Sequence, residues 1–292
     1  MRSRWLRMMI SLLVIFGALL LVIAWQTASS VVRPRRVPVR ATPAALSLPF
    51  EDVTFQAQDG IALKGWWLPA ASGGKTIILC HGISANREQT LAFAPFLHAH
   101  GYQVFLFDFR AHGESEGGFC TVGAREQEDL LAAIEVVRER GGGPIGVLGL
   151  SMGGATAILT AARSSDIQAV VADSAFSSIS RLVEDSFSQR FLLPRWPMGP
   201  LSFAIAYWRT AEDLRDVAPR SVIGQISPRP VLLIHGDADR IIPVDHSRYL
   251  YIAAKKPKDI LVLPGVGHIS GHDMARPQYE EKVLAFFDKW LH

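Results

Sequence analysis

The chain has 292 residues, 49% of them apolar, and a formal net charge of +3. That length is enough for one large domain or two small ones with a sizeable core, and so small and scattered a charge argues against a nucleic-acid partner. Its two cysteines, Cys80 and Cys120, are too few and too far apart for a metal cluster or a disulfide framework, and Cys80, at the end of an apolar run, reads as a buried free thiol.

The first residues, "MRSRWLR", are basic, and an apolar run without a charge follows over residues 8–24. That run is close to the roughly 17-residue minimum for a helix that spans a bilayer. Trp5 and Trp25 flank it, where amphipathic rings favour the headgroup level. Residues 1–28 are therefore expected to form a single-pass N-terminal membrane anchor. The competing reading is a cleaved signal peptide, but the apolar run exceeds the ~7–15 residues of a signal core and no clean A-x-A site follows. Arginines on both flanks leave the side of the membrane open. Residues 29–48, rich in proline and arginine, read as a linker.

Beyond residue 49 strand and helix signals alternate. "DVTFQAQDGIALKGWWLP" reads as a hairpin turning on Asp59-Gly60. "TIILCHG" reads as a strand, "NREQTLAFAPFLHAHG" as a helix, "YQVFLFDFR" as a strand and "REQEDLLAAIEVVRERG" as an amphipathic helix. "PIGVLGLS" and "IQAVVADSAF" are strands around the helix "MGGATAILTAARS". "RPVLLIHGDAD", "VDHSRYLYIAAKK", "DILVLPGVGH" and "QYEEKVLAFFDKWLH" continue the alternation. Continuous apolar strands separated by single helices predict an α/β fold, a mostly parallel sheet covered on both faces with the hairpin as its antiparallel edge. Residues 177–225 interrupt the pattern, rich in Phe, Trp, Pro and Leu and without a strand, and are expected to form an inserted helical cap.

Gly149-Leu150-Ser151-Met152-Gly153 has G-x-S-x-G spacing between a strand and a helix, the context in which that spacing presents a nucleophile. A sharp strand-to-helix turn brings backbones close, and glycine removes the side chains that would collide. A serine hydroxyl needs a base to take its proton. His268 stands just past a strand end, and His272 competes four residues on. The base needs an orienting carboxylate. Asp237 and Asp239 both follow a strand; Asp237 is placed to serve the turn, and Asp239 to reach a histidine on the next strand. The N–H groups of Met152 and Ile83 are the expected donors to an oxyanion. His81 and His235 read as hydrogen-bonded loop formers, His98, His100 and His246 as helix-surface histidines, and Asp108 and Asp173 as possible helix caps.

The segments "HGISAN", "DFRAHGESEG", "GLSMGG", "HGDADRIIP" and "GVGH", in that order, resemble those of the α/β-hydrolase fold serine hydrolases, with the serine aminopeptidase-like and membrane-anchored acyl hydrolases as the nearest branch. "DFRAHGESEG" is similar to the family's D-x-R-G-x-G-x-S motif, with Ala111 and His112 before Gly113, and reads as loop-shaping. The resemblance implies hydrolysis through an acyl-enzyme with Ser151 as nucleophile, His268 as base and Asp239 as orienting acid. It implies no metal and no organic cofactor. Anchor and apolar cap together point to a hydrophobic or lipid acyl ester or thioester as the small-molecule substrate. A peptidase is the alternative, with Glu184, Asp185, Glu212 and Asp213 as candidates to hold a peptide terminus, and a non-catalytic binding protein is the third reading. Nothing in the pattern specifies an oligomeric state.

Overall fold

A computed structural model describes residues 2–70, 74–186 and 195–292. Its centre is an eight-stranded sheet in the order β1-β2-β4-β3-β5-β6-β7-β8. β1 (Glu51–Gln56) and β2 (Ala62–Leu68) form the expected antiparallel hairpin, and β2 runs antiparallel to β4 (Gln103–Phe107). The turn places Gly60 at φ +84, the left-handed region that glycine enters without a steric cost. β3 (Thr76–Cys80), β5 (Ile145–Leu150), β6 (Ile167–Asp173), β7 (Val231–Gly236) and β8 (Lys258–Leu263) are parallel to one another and to β4. β3, β4, β5 and β7 are buried along their whole length, which explains their unbroken apolar sequence.

Eleven helices accompany the sheet among the described residues: α1 (Arg2–Val32), α2 (Glu88–Leu91), α3 (Ala94–Ala99), α4 (Glu126–Glu139), α5 (Met152–Arg163), α6 (Ile179–Asp185), α7 (Arg195–Thr210), α8 (Pro219–Val222), α9 (Asp245–Ala253), α10 (Gly271–Met274) and α11 (Arg276–Trp290). α4, α5 and α9 pack with Ile78, Val147, Val170 and Leu233 on one face of the sheet. α3 and α11 pack with Ile77, Leu106, Leu148 and Leu232 on the other. The single helix expected before Gly101 is broken into α2 and α3. Pro95 lies in the first turn of α3, and its ring would clash with the carbonyl of Leu91 in a continuous helix.

α1 continues four residues past the end expected for the anchor, because Ala24, Ala28 and Val32 are buried on its final turns. The following Pro/Arg-rich stretch is held down rather than loose. The Arg36 guanidinium donates to the carbonyls of Gly113 (3.1 Å), Ser115 (2.5 Å) and Gly117 (2.8 Å). Asn86 donates to the Val37 carbonyl at 3.0 Å, and the Cys120 N–H to that of Val32 at 2.9 Å. Between β6 and β7 lie α6, α7, α8 and short 3-10 turns, with no strand among the described residues; residues 187–194 of the expected cap lie outside them.

Candidate active site

Parallel pairing brings the carboxyl ends of the central strands to one edge. Cys80 stands opposite Gly149, Leu150 opposite Asp173, and Gly236 opposite Leu263. Each expected site residue follows one of these ends, so the sheet register alone gathers them. Ser151 sits between β5 and α5 with φ 53 and ψ −113, a conformation that costs a non-glycine residue about 1–3 kcal/mol. It is held there by its N–H, which donates to the Asp173 carbonyl at 2.8 Å. The flanking glycines are needed for the reason anticipated. A Cβ on Gly149 would overlap the Gly153 backbone, and one on Gly153 would overlap the carbonyls of Cys80 and His81.

The Ser151 hydroxyl is 3.0 Å from His268 Nε2, and His268 Nδ1 is 2.7 Å from Asp239 Oδ2. Asp239 is buried, and its Oδ1 accepts the N–H groups of Ile241 (2.8 Å) and Ile242 (2.9 Å). Burial pushes the Asp239 carboxyl up. The hydrogen bonds from His235 and His268 and the charge of His268 outweigh that, so the net shift is below the usual carboxylate range. His272 is turned away from the cluster, bonding Glu280 at 2.9 Å and stacking on Phe96. Asp237 accepts the Gly265 N–H at 2.6 Å and so serves the turn.

Ile83 and Met152 both line the cavity above the serine. Met152 opens α5, where N–H groups have no partner within the helix. The loop carrying Ile83 is fixed where the Gly82 N–H donates to Gln89 Oε1 at 2.7 Å. His81 is fully buried; its Nε2 accepts the Phe109 N–H (3.0 Å), so its proton is on Nδ1 and donates to the Gly82 carbonyl (2.7 Å). Burial, with the neighbouring His112 adding to it, holds the His81 imidazole well below its usual pKa.

Several side chains depart from their expected roles. His246 is not a surface histidine. It is fully buried, its Nδ1 accepts the Ser177 N–H at 2.9 Å, and its Nε2 lies 3.3 Å from Asp185. Asp173 caps no helix; it is buried and accepts the hydroxyls of Ser174 (2.9 Å) and Tyr279 (2.9 Å). Asp108 accepts the N–H groups of Arg87 (2.6 Å) and Glu114 (2.9 Å) and pairs with the Arg87 guanidinium, which shapes the loop of the "DFRAHGESEG" segment. Gln89, Ser174 and His235 escaped sequence reasoning as site residues. His235 alone carried a signal, its place four residues before Asp239, and its Nε2 is 3.2 Å from Asp239 Oδ2.

A cavity of about 360 Å³ opens above Ser151. Its walls include Phe176, Ile179, Leu182 and Val183 from the segment after β6, and Ile241 and Ile242 from the loop after β7. Three of the four acidic residues suggested for a peptide terminus are engaged with cations instead: Asp185 with Arg181 (2.9 Å), Glu212 with Arg125 (2.5 Å) and Asp213 with Arg215 (2.5 Å). No group of three or more His, Cys, Asp or Glu side chains is arranged to hold a metal among the described residues.

The family model for serine aminopeptidase S33 matches residues 72–198. The uncharacterized protein YqkD of Bacillus subtilis is 30% identical over 233 residues, covering 78% of this chain and 76% of its own length. The uncharacterized protein YfhR of Escherichia coli K12 is 32% identical over 248 residues, covering 81% of this chain and 80% of its own. Among solved structures, the esterase Pf2001 of Pyrococcus furiosus superposes with a TM-score of 0.76 at 28% identity, over 90% of this chain and 99% of that one. The acylaminoacyl peptidase of Pyrococcus horikoshii shares the fold, with a TM-score of 0.65 at 19% identity over 84% of this chain and 42% of that one.

Proposed function

This chain belongs to the α/β-hydrolase family, in its serine aminopeptidase-like branch, and from that premise we propose that it hydrolyses carboxylic esters or thioesters of hydrophobic acyl groups through an acyl-enzyme on Ser151. The observation that carries the reading is the continuous hydrogen-bonded chain Ser151–His268–Asp239 at the floor of an apolar cavity.

In the proposed reaction Ser151 Oγ attacks the carbonyl carbon and its proton passes to His268 Nε2. The carbonyl oxygen becomes an oxyanion facing the Ile83 and Met152 N–H groups; one such donor is worth roughly 2.7–4 kcal/mol of barrier. Collapse of the tetrahedral species breaks the bond to the leaving alcohol or thiol, which takes the proton from His268. Water then attacks the acyl-enzyme, gives its proton to His268, and the acid departs as Ser151 recovers its hydrogen. Asp239 holds the proton of neutral His268 on Nδ1 and stabilises the imidazolium.

A hydrophobic acyl group fits the lining of the cavity, and the engaged acidic residues of the expected cap (residues 177–225) weigh against capture of a peptide amino terminus. α1 is long and apolar enough to cross a membrane by length and composition, and we assign it as the anchor of the chain. The test is hydrolysis of p-nitrophenyl esters of graded chain length by the detergent-solubilised full chain beside Ser151→Ala. Activity on esters that disappears in the variant is the expected result. A folded protein that cleaves amides but no ester of any length overturns the assignment.

A further inference from the structure

We propose that α1 is part of the acyl-binding site as well as the anchor, and that the substrate is a single-chain amphiphilic ester of the bilayer whose chain enters the cavity along this helix. The inference rests on the serine-hydrolase reading above and specifies its substrate class. Thr27, Ser30 and Val31 of α1 line the same cavity as Ser151 and His268. They face it with little polarity. The Thr27 hydroxyl donates to the Ile23 carbonyl (2.9 Å) and the Ser30 hydroxyl to the Thr27 carbonyl (2.8 Å), so both donors are spent within the helix. Leu182 and Val183 of α6 line it beside them, Val183 packing with Leu20, Ile23 and Ala24 of α1, and Ile241, half exposed, also lines it. A volume of about 360 Å³ is at the low end of the ~300–1,000 Å³ range of ligand cavities, which suits one acyl chain rather than two.

The position of this wall along the helix fixes its depth. Trp25 ends the apolar run, at the level where aromatic rings meet the headgroups. Thr27 and Val31 follow by two and six residues, roughly 3 and 9 Å along the axis at 1.5 Å per residue. The headgroup layer is itself roughly 5–8 Å thick on each side of the hydrocarbon core. The mouth of the cavity therefore lies at the membrane surface. α7 shares that level: Trp208 is 5.9 Å from Trp25, ring to ring, and the Arg209 guanidinium lies 5.1 Å over Trp25 and bonds the Ser29 hydroxyl. Tyr207 and Trp208, at this end of α7, are exposed, as side chains of an interfacial belt would be in water. The Arg36 clamp and the Val32–Cys120 bond hold α1 to the domain, so the relation between bilayer and cavity is set by structure rather than by a flexible tether.

The experiment uses the full chain in phosphatidylcholine vesicles containing 4-methylumbelliferyl acetate, octanoate or palmitate, with fluorophosphonate labelling as the independent report on Ser151. Wild type is expected to favour palmitate over acetate. Val31→Trp, which fills the cavity from the helix side, is expected to lower the palmitate-to-acetate ratio by roughly four-fold for each methylene excluded, more than about ten-fold in all. Thr27→Leu, a smaller intrusion, lowers it less, and Gln26→Trp, on the exposed face of the same turn, leaves it within about two-fold. Ratios unchanged in both Val31→Trp and Thr27→Leu, with labelling intact, overturn the inference. Wild type that labels and cleaves acetate but refuses palmitate overturns it while leaving the hydrolase reading in place. Wild type that neither labels nor cleaves any ester overturns both.

Discussion

Asp239→Asn isolates the role of the acid with a change of almost no volume. Asp239 Oδ1 accepts two backbone N–H groups, and Oδ2 faces His268 Nδ1 at 2.7 Å. In the variant the amide oxygen keeps the two N–H bonds. Reversing the amide would leave the Ile241 and Ile242 N–H groups facing an NH₂, at about 1–3 kcal/mol each. The NH₂ therefore takes the place of Oδ2 and donates to His268 Nδ1. The imidazole proton moves to Nε2, which now points a hydrogen at Ser151 Oγ from 3.0 Å and cannot accept one. A wrong tautomer in a triad of this kind costs about 10⁴-fold in kcat, or about 5.4 kcal/mol of barrier. The assay is initial-rate ester hydrolysis at saturating substrate, with circular dichroism and Tm to establish folding. A folded Asp239→Asn protein with kcat within ten-fold of wild type would mean that Asp239 does not set the His268 tautomer.

The same carboxylate governs stability in acid. Its folded pKa is depressed, so its contribution is fully present above the unfolded value of about 3.9 and drains away as pH falls toward the folded one; the Tm gap between wild type and Asp239→Asn should shrink below about pH 4, and a constant gap contradicts the assignment. His246 is lowered to about 4 by burial, partly opposed by Asp185, so the folded state loses stability as pH drops from about 6.5 to 4; His246→Gln should flatten that slope in urea titrations, and an unaltered slope refutes it. Gly153→Ala should abolish activity and lower Tm by more than several degrees, whereas Gly118→Ala, with open space around its Cβ, should leave both unchanged. Gln89→Leu removes the acceptor for the Gly82 N–H and should reduce kcat by about ten-fold, the equivalent of one neutral hydrogen bond; an unchanged kcat would separate Gln89 from the oxyanion loop.

The residues legible in the sequence are those whose position follows from strand ends. Glycine spacing and the strand–helix context singled out Ser151, and parallel pairing then carries Asp239 and His268 to the same edge. The loop carrying Ile83, the proposed oxyanion donor, reaches the same edge because Cys80 pairs with Gly149. What escaped depends on contacts between segments far apart in the chain. Nothing in "VDHSRYLYIAAKK" says that the polar face carrying His246 lies under Ser177 and Asp185. Nothing in the apolar N-terminal sequence says that Thr27 and Val31 look into a cavity, because their neighbours there come more than fifty residues later. The Pro/Arg-rich stretch read as a tether because proline and arginine carry no periodicity, yet backbone carbonyls of a distant loop capture Arg36.

The spacing between Ser151 and His268, the proposed nucleophile and base, is set by more than the three side chains of the proposed triad. Asp173 accepts the Ser151 N–H on its carbonyl, and its buried carboxylate accepts the hydroxyls of Ser174 and Tyr279. Ser174, itself at φ 53, accepts the Ile269 N–H at 3.2 Å, one residue from His268. The end of β6 thus grips the turn that carries Ser151 and the loop that carries His268. Burial raises the Asp173 carboxyl above its usual range, and the two hydroxyl bonds oppose that shift without cancelling it. A strained serine and a histidine on a partly buried loop would otherwise relax independently. Tying both to one buried strand end keeps Ser151 Oγ and His268 Nε2 within proton-transfer distance before any substrate arrives.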